Sequence, residues 1–153
     1  MKSGKFQTKG FKFKQFCIEG GESGMPVSTD GVMLGAWMES PSSAHILDIG
    51  TGTGLLALMC AQRFPDAKIT AVDIETTAVE AASHNFSHSP WHDRLSVQHT
   101  DVLIFRRRNA FNALFATHPI STLVSKLNKA SEQPLGIPTP YAMMRCLSVV
   151  ISC

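Results

Sequence analysis

The run Asp48-Ile49-Gly50-Thr51-Gly52-Thr53-Gly54 constrains this chain more than any other feature. It follows Ala44-His45-Ile46-Leu47-Asp48-Ile49, a short apolar run of the kind that forms a strand buried on both faces. Leu55, Leu56, Leu58 and Met59 come next and give the following helix an apolar stripe, which Phe64-Pro65-Asp66 ends. Glycines at such a junction let the backbone turn sharply and approach a ligand closely, because side chains there would collide with it. A dinucleotide fingerprint is spaced G-x-G-x-x-G and sets a pyrophosphate on the helix N-terminus. Here the order is acid-x-G-x-G-x-G. A carboxylate inside the loop repels a diphosphate and suits a ligand with a positively charged end.

The elements that follow extend the pattern. Lys68–Val72, closed by Asp73, reads as a second strand, and Val79, Ala82 and Phe86 place an apolar stripe on a helix from about Thr76 to Phe86. Ser89-Pro90 punctuates the turn. Leu95–Gln98 alternates like a third strand running into Asp101, and Phe111–Leu114 begins a fourth. This β-α-β-α-β order predicts the first half of a doubly wound parallel sheet with right-handed crossovers. Beyond Leu114 the texture changes: Pro119, Pro134, Pro138 and Pro140 interrupt residues 115–153, and neither a strand nor a helix period is sustained.

Three acids end three successive strands. Asp48 suits the amino-acid end of S-adenosylmethionine, Asp73 can accept both hydroxyls of a ribose, and Asp101 lies beside the presumed adenine pocket. Glycine as a helix–strand spacer and solvated strand-end acids account for any one of these, but poorly for all three in order.

The loop resembles that of class I S-adenosylmethionine-dependent methyltransferases. Finer resemblance lies in Phe11-Lys12-Phe13-Lys14-Gln15-Phe16, in Val27-Ser28-Thr29-Asp30-Gly31-Val32-Met33-Leu34-Gly35-Ala36-Trp37, in Asp48–Gly54 with Leu55–Met59, and in Ser89-Pro90-Trp91. Together these resemble the bacterial tRNA(Val) adenine-37 N6-methyltransferase family over about residues 10–114. The resemblance implies a Rossmann-like class I methyltransferase fold, S-adenosylmethionine as cofactor, a tRNA partner and methyl transfer to an adenine N6. It also implies cofactor contacts at Thr29, Asp30, Asp48, Gly50, Asp73 and Asp101, with Gly52 and Gly54 completing the loop. Without the resemblance, Thr29-Asp30 could be only a helix N-cap.

One part of the family pattern is missing. Amino-methyltransferases of this type carry Asn-Pro-Pro-Tyr at the end of the fourth strand: the tyrosine stacks on the flipped base, and the asparagine amide with a backbone carbonyl holds the amine for in-line attack. Here Phe111-Asn112-Ala113-Leu114 resembles the lead-in, but Phe115-Ala116-Thr117-His118-Pro119 follows. Codons read from the third base of each present codon allow Cys-Asn-Pro-Pro-Tyr-Phe across Phe115–Ser121, and a family-like run across Leu135–Val150. Methionine has one codon, so the shifted codon ending in Met144 must read Asp, and the one ending in Arg145 must read Ala or Glu. The expectation is a single-base deletion near the Leu114–Phe115 junction. The chain then divides into a basic segment 1–16, the N-terminal part of the cofactor-binding domain at 17–114, and an out-of-frame tail at 115–153. The fold is accordingly α/β, incomplete, with an irregular C-terminal tail and no catalytic residue of its own.

Composition narrows the remaining possibilities. The chain has 153 residues, 44% hydrophobic and 17% charged, which excludes coiled-coil, collagen-like and disordered classes. No run reaches the roughly 18–20 apolar residues of a membrane span and no signal peptide is evident, so a cytoplasmic, monomeric protein is expected. Cys17, Cys60, Cys146 and Cys153 lack metal-ligand spacing and read as reduced thiols, with no metal. His84, His88, His92 and His99 invite an acid–base reading; exposed surface around a turn explains the first three. The net charge of +2 is uneven, with Lys2, Lys5, Lys9, Lys12 and Lys14 unaccompanied by any acid in residues 1–16. Phe6, Phe11, Phe13 and Phe16 are interleaved with them. This segment either touches RNA or is a solvated tail whose phenylalanines pack back on the domain. Three functions stay open: an inactive fragment of the tRNA methyltransferase, a cofactor- or RNA-binding pseudo-enzyme, and a small methyltransferase for another acceptor.

Overall fold

The structure is a computed structural model, and it describes residues 7–22, 26–40, 44–106 and 113–116. A short antiparallel hairpin of β1 (Phe11–Lys12) and β2 (Cys17–Ile18) precedes α1 (Thr29–Trp37). There follow β3 (His45–Ile49), α2 (Leu55–Arg63), β4 (Lys68–Asp73), α3 (Thr76–Ser87), β5 (Leu95–His99), α4 (Val102–Arg106) and β6 (Ala113–Ala116). The sheet is parallel, in the order β5-β4-β3-β6. The chain thus starts at β3, steps outward through β4 and β5, then crosses back to pair β6 on the other side of β3. That reversal of winding beside β3 is where open α/β sheets bind ligands, at the carboxyl ends of their strands.

Alternation along the strands divides the apolar residues between the two faces. Ile46, Ile69 and Ala71 pack with Leu56, Leu58, Cys60, Ala82 and Phe86 into one core. Leu47, Ile49 and Val72 point the other way, where Val102 and Phe105 of α4 pack on them. Asp48 and Asp73 share the first face by the register that pairs Asp48 with Ala71 and runs β4 on to Asp73. Sequence and structure agree closely for β3, α2, β4, α3 and β5. The fourth strand, expected to begin in Phe111–Leu114, is present as β6 and pairs Asp48 with Phe115 and Ile49 with Ala116; Phe111 and Asn112 lie outside the described residues. It therefore extends across the Leu114–Phe115 junction; residues 117–153 of the expected out-of-frame tail lie outside the described residues.

Two arginines donate to carbonyls at helix ends. Arg63 donates to the carbonyls of Gly35 and Ala36 at the end of α1. Arg94 donates to Ala61, Phe64 and Ala67 after α2, at 2.8–3.0 Å. Among the described residues no helix is long and apolar enough to cross a membrane.

Candidate cofactor site

Gly50, Gly52 and Gly54 all hold positive φ, at 69°, 56° and 86°. Only glycine adopts such a series without strain, so the loop's shape is written directly into its composition. The three glycines do different work. A Cβ on Gly54 would lie 2.5 Å from Phe86 Cε1, so this glycine lets α2 and α3 close together. A Cβ on Gly52 would meet nothing within 4 Å among the described residues. The main chain at Gly52 therefore faces open space, the position where a ligand can approach the backbone. The loop is tied to the sheet by the amides of Gly50 and Thr51, both donating to the Val72 carbonyl.

Asp48 is wholly buried in the middle of the sheet. Its Oδ2 accepts the Thr51 hydroxyl at 2.6 Å, whereas Oδ1 has no hydrogen-bond partner among the described residues. Burial pushes the carboxyl up to about 6; the Thr51 hydroxyl and the Ala57 backbone amide, which is near the carboxylate without closing a hydrogen bond to Oδ1, oppose that rise, and the charge of Asp73 adds to it. An unpaired buried acceptor costs on the order of 1–3 kcal/mol, more when charged. A cationic donor at Oδ1 would offset that cost.

Asp73, at the end of β4, has both oxygens engaged: Oδ2 accepts the Gly52 amide at 2.9 Å and Oδ1 the Glu75 amide at 3.0 Å. Each oxygen keeps lone-pair capacity for a further donor. These bonds orient the carboxylate and hold the loop beside it. Ile74, 66% exposed, places an apolar side chain next to it. Asp101 is half-buried and opens α4, its carbonyl accepting from Ile104 and Phe105.

Thr29 and Asp30 occupy the exposed first turn of α1. The cap of that helix is Ser28, whose hydroxyl accepts the Gly31 amide at 3.1 Å, so neither residue serves as the N-cap that sequence alone allowed. A Cβ on Gly31 would lie 3.1 Å from Leu55 Cδ2, which sets the start of α1 against the start of α2 and hence beside the glycine loop. The structure thus gathers Asp48, at the end of β3, and Asp73, at the end of β4, around the loop of Gly50, Gly52 and Gly54, with the first turn of α1, which carries Thr29 and Asp30, set against the start of α2. His84, His88, His92 and His99 are all exposed, and none belongs to this cluster. Among the described residues no group of three or more His, Cys, Asp or Glu could hold a metal ion.

One contributor escaped sequence reasoning. Asn85, buried in α3, donates through Nδ2 to the carbonyls of Thr53 and Glu19, both at 2.9 Å, and accepts the Glu19 amide at 2.8 Å. It fastens the chain just after β2 to the glycine loop. No local pattern announces this role, because Glu19 lies far away in sequence.

The profile of the methyltransferase small domain matches residues 30–132. The chain belongs to the methyltransferase small-domain family. Within it, this methyltransferase small domain is 89% identical over 119 residues to the tRNA1(Val) (adenine(37)-N6)-methyltransferase of Vibrio parahaemolyticus serotype O3:K6 (strain RIMD 2210633), covering 78% of this chain and 50% of the relative. The identically named protein of Vibrio campbellii (strain ATCC BAA-1116) is 66% identical over the same shares. The small domain spans about half the length of these curated relatives. Its fold is shared with M. capricolum TrmK, solved in complex with S-adenosyl-homocysteine, at a TM-score of 0.57 and 17% identity over 70% of this chain and 48% of that one. TrmN from Thermus thermophilus gives a TM-score of 0.51 at 20% identity, over 58% and 27%.

Proposed function

We propose that this chain is the cofactor-binding part of an S-adenosylmethionine-dependent tRNA methyltransferase that acts on the N6 of adenine 37 in tRNA(Val), lacking the motif that positions the base. The observation that carries the cofactor reading is the buried Oδ1 of Asp48, without a hydrogen-bond partner among the described residues, beneath a loop where a Cβ on Gly52 would meet none of them. Those two features fit a ligand with an ammonium at one end and a body that lies against the main chain. Asp48 would take the ammonium, Asp73 the ribose hydroxyls, Asp101 the adenine, with Thr29 and Asp30 at the flank and Gly50 and Gly54 shaping the loop. When bound, the cofactor supplies an electrophilic methyl on a sulfonium. The names of the relatives support tRNA as the acceptor.

Transfer to an aromatic amine needs the acceptor nitrogen aimed at that methyl, more than it needs a base. The Asn-Pro-Pro-Tyr that would aim it is absent after β6, where Thr117-His118-Pro119 stand. Our reading is a single-base deletion near the Leu114–Phe115 junction. It rests on the ordered run of family-like codons in the shifted frame and is supported by a relative 89% identical over only 119 of the 153 residues. A cytoplasmic monomer without a metal completes the proposal.

The test is methyl transfer to unmodified tRNA(Val). The chain should give none above a no-protein control, and the longer product made by restoring one base between codons 114 and 116 should methylate adenine 37. Methylation by the unrepaired chain, or a gene with no Asn-Pro-Pro-Tyr codons there in any frame, overturns the reading.

A further inference from the structure

We infer that the outer part of the N-terminal hairpin, Lys9, Phe11, Lys12 and Lys14, is a contact surface for single-stranded RNA, built on a support that registers it against the glycine loop. This inference rests on the proposed tRNA acceptor and assigns it a place on the molecule.

The phenylalanines of the hairpin divide into two kinds. Phe16 is 6% exposed and meets Trp91 edge-on at 5.8 Å, and Phe13 stacks on Phe16 at 4.6 Å with its ring nearly parallel. These two pack back on the domain. Phe11 continues the row, its ring 4.8 Å from that of Phe13, yet it is 52% exposed. It ends the aromatic row at the surface, held from behind, and so loses little freedom on stacking against a base. Lys9, Lys12 and Lys14 around it are all exposed. The first acid after them, Glu19, sits with Oε2 3.0 Å from His84 Nε2. An exposed ring interleaved with lysines matches a strand of alternating phosphates and bases. A membrane fits less well, because a single exposed aromatic buries too little apolar area to anchor a surface helix or hairpin.

The hairpin is also rigidly placed. Thr8 donates to the Gly21 carbonyl and Phe13 to that of Phe16, closing it at two levels. Asn85 then binds both backbone groups of Glu19 and the carbonyl of Thr53 in the glycine loop. RNA held on the hairpin is thereby held at a set distance from the cofactor loop.

The test is fluorescence anisotropy of the full chain with a labelled tRNA(Val) anticodon stem-loop, over a range of salt. Phe11→Ala should weaken binding about tenfold with the salt slope unchanged, and Phe11→Trp should restore it. Lys12→Gln with Lys14→Gln should lower the slope of log K against log salt by about 1.4, two single-strand phosphate contacts at roughly 0.7 each. Lys68→Gln, an exposed lysine outside the hairpin at the start of β4, should change nothing. Calorimetric titration of the same variants with S-adenosylhomocysteine should be unaltered, which separates failure of this surface from failure of the cofactor site. Unchanged RNA binding in the Phe11 and lysine variants, an equal loss in Lys68→Gln, or tighter binding to phosphatidylglycerol vesicles than to the RNA would overturn the inference.

Discussion

The carboxylate of Asp73 accepts the backbone amide of Gly52 at 2.9 Å, tying the end of one strand to the loop after its neighbour. Because Gly52 sits at positive φ and a Cβ there would meet none of the described residues, this bond joins the proposed ribose acceptor to the stretch of main chain a ligand can approach. Asp48 lies behind both, buried and half-partnered. The site is thus a set of acceptors already oriented by protein donors.

The Asp48 carboxyl gives a pH signature. Its native value of about 6 lies above the ordinary 3.8, so the folded chain binds the proton more tightly than the unfolded chain does. The stabilising contribution is complete below about pH 4 and is lost as pH rises through about 6; the full difference is on the order of 3 kcal/mol. Asp48→Asn keeps an acceptor for Thr51 and removes the buried charge. Urea melts should show the variant about 1–3 kcal/mol more stable than wild type at pH 7.5, with the gap closing towards pH 4. Parallel profiles would contradict the assignment.

Glycine positions 52 and 54 should separate by mechanism. Gly54→Ala meets Phe86 at 2.5 Å as well as the left-handed penalty, whereas Gly52→Ala meets only the penalty, about 1–2 kcal/mol. Denaturant midpoints should rank Gly54→Ala as the more damaging. Adding Phe86→Ala should recover part of the Gly54 loss beyond what additivity allows, a coupling a double-mutant cycle reads directly.

Much of this was legible in the sequence, for local reasons. His45–Ile49 and Lys68–Asp73 are short, mainly apolar runs with an acid at or next to the end, and the leucines of α2 keep a helical stripe, so pattern alone places them. The hairpin was not legible: Phe11–Lys12 and Cys17–Ile18 are too short for alternation to register. Nor was α1, whose apolar residues Val32, Met33, Leu34 and Trp37 surround the helix and whose two glycines disfavour it locally. Asn85 reads as a surface residue until its distant partners are known.

Asn85 carries its own prediction. Asn85→Ala leaves the buried Thr53 carbonyl and the part-buried Glu19 backbone groups unpaired, an expected loss of about 2–4 kcal/mol. Asn85→Asp has the same shape but opposes two carbonyls with an acceptor, and should be as harmful. Hydrogen exchange at Glu19 and Phe13 should accelerate in both variants. Protection unchanged in Asn85→Asp would show that packing, rather than hydrogen bonding, holds the hairpin.

On the proposed reading, Asp48, Gly52 and Asp73 form an S-adenosylmethionine site that persists in this chain. Calorimetric titration of S-adenosylmethionine into wild type, Asp73→Ala and Gly52→Val tests it most directly. Wild type should bind saturably at one site. Asp73→Ala should lose about 1.5–3 kcal/mol, because a charged acceptor for hydroxyls is gone, and Gly52→Val should show no measurable binding, because the side chain fills the ligand's space. Equal binding by all three proteins would contradict it.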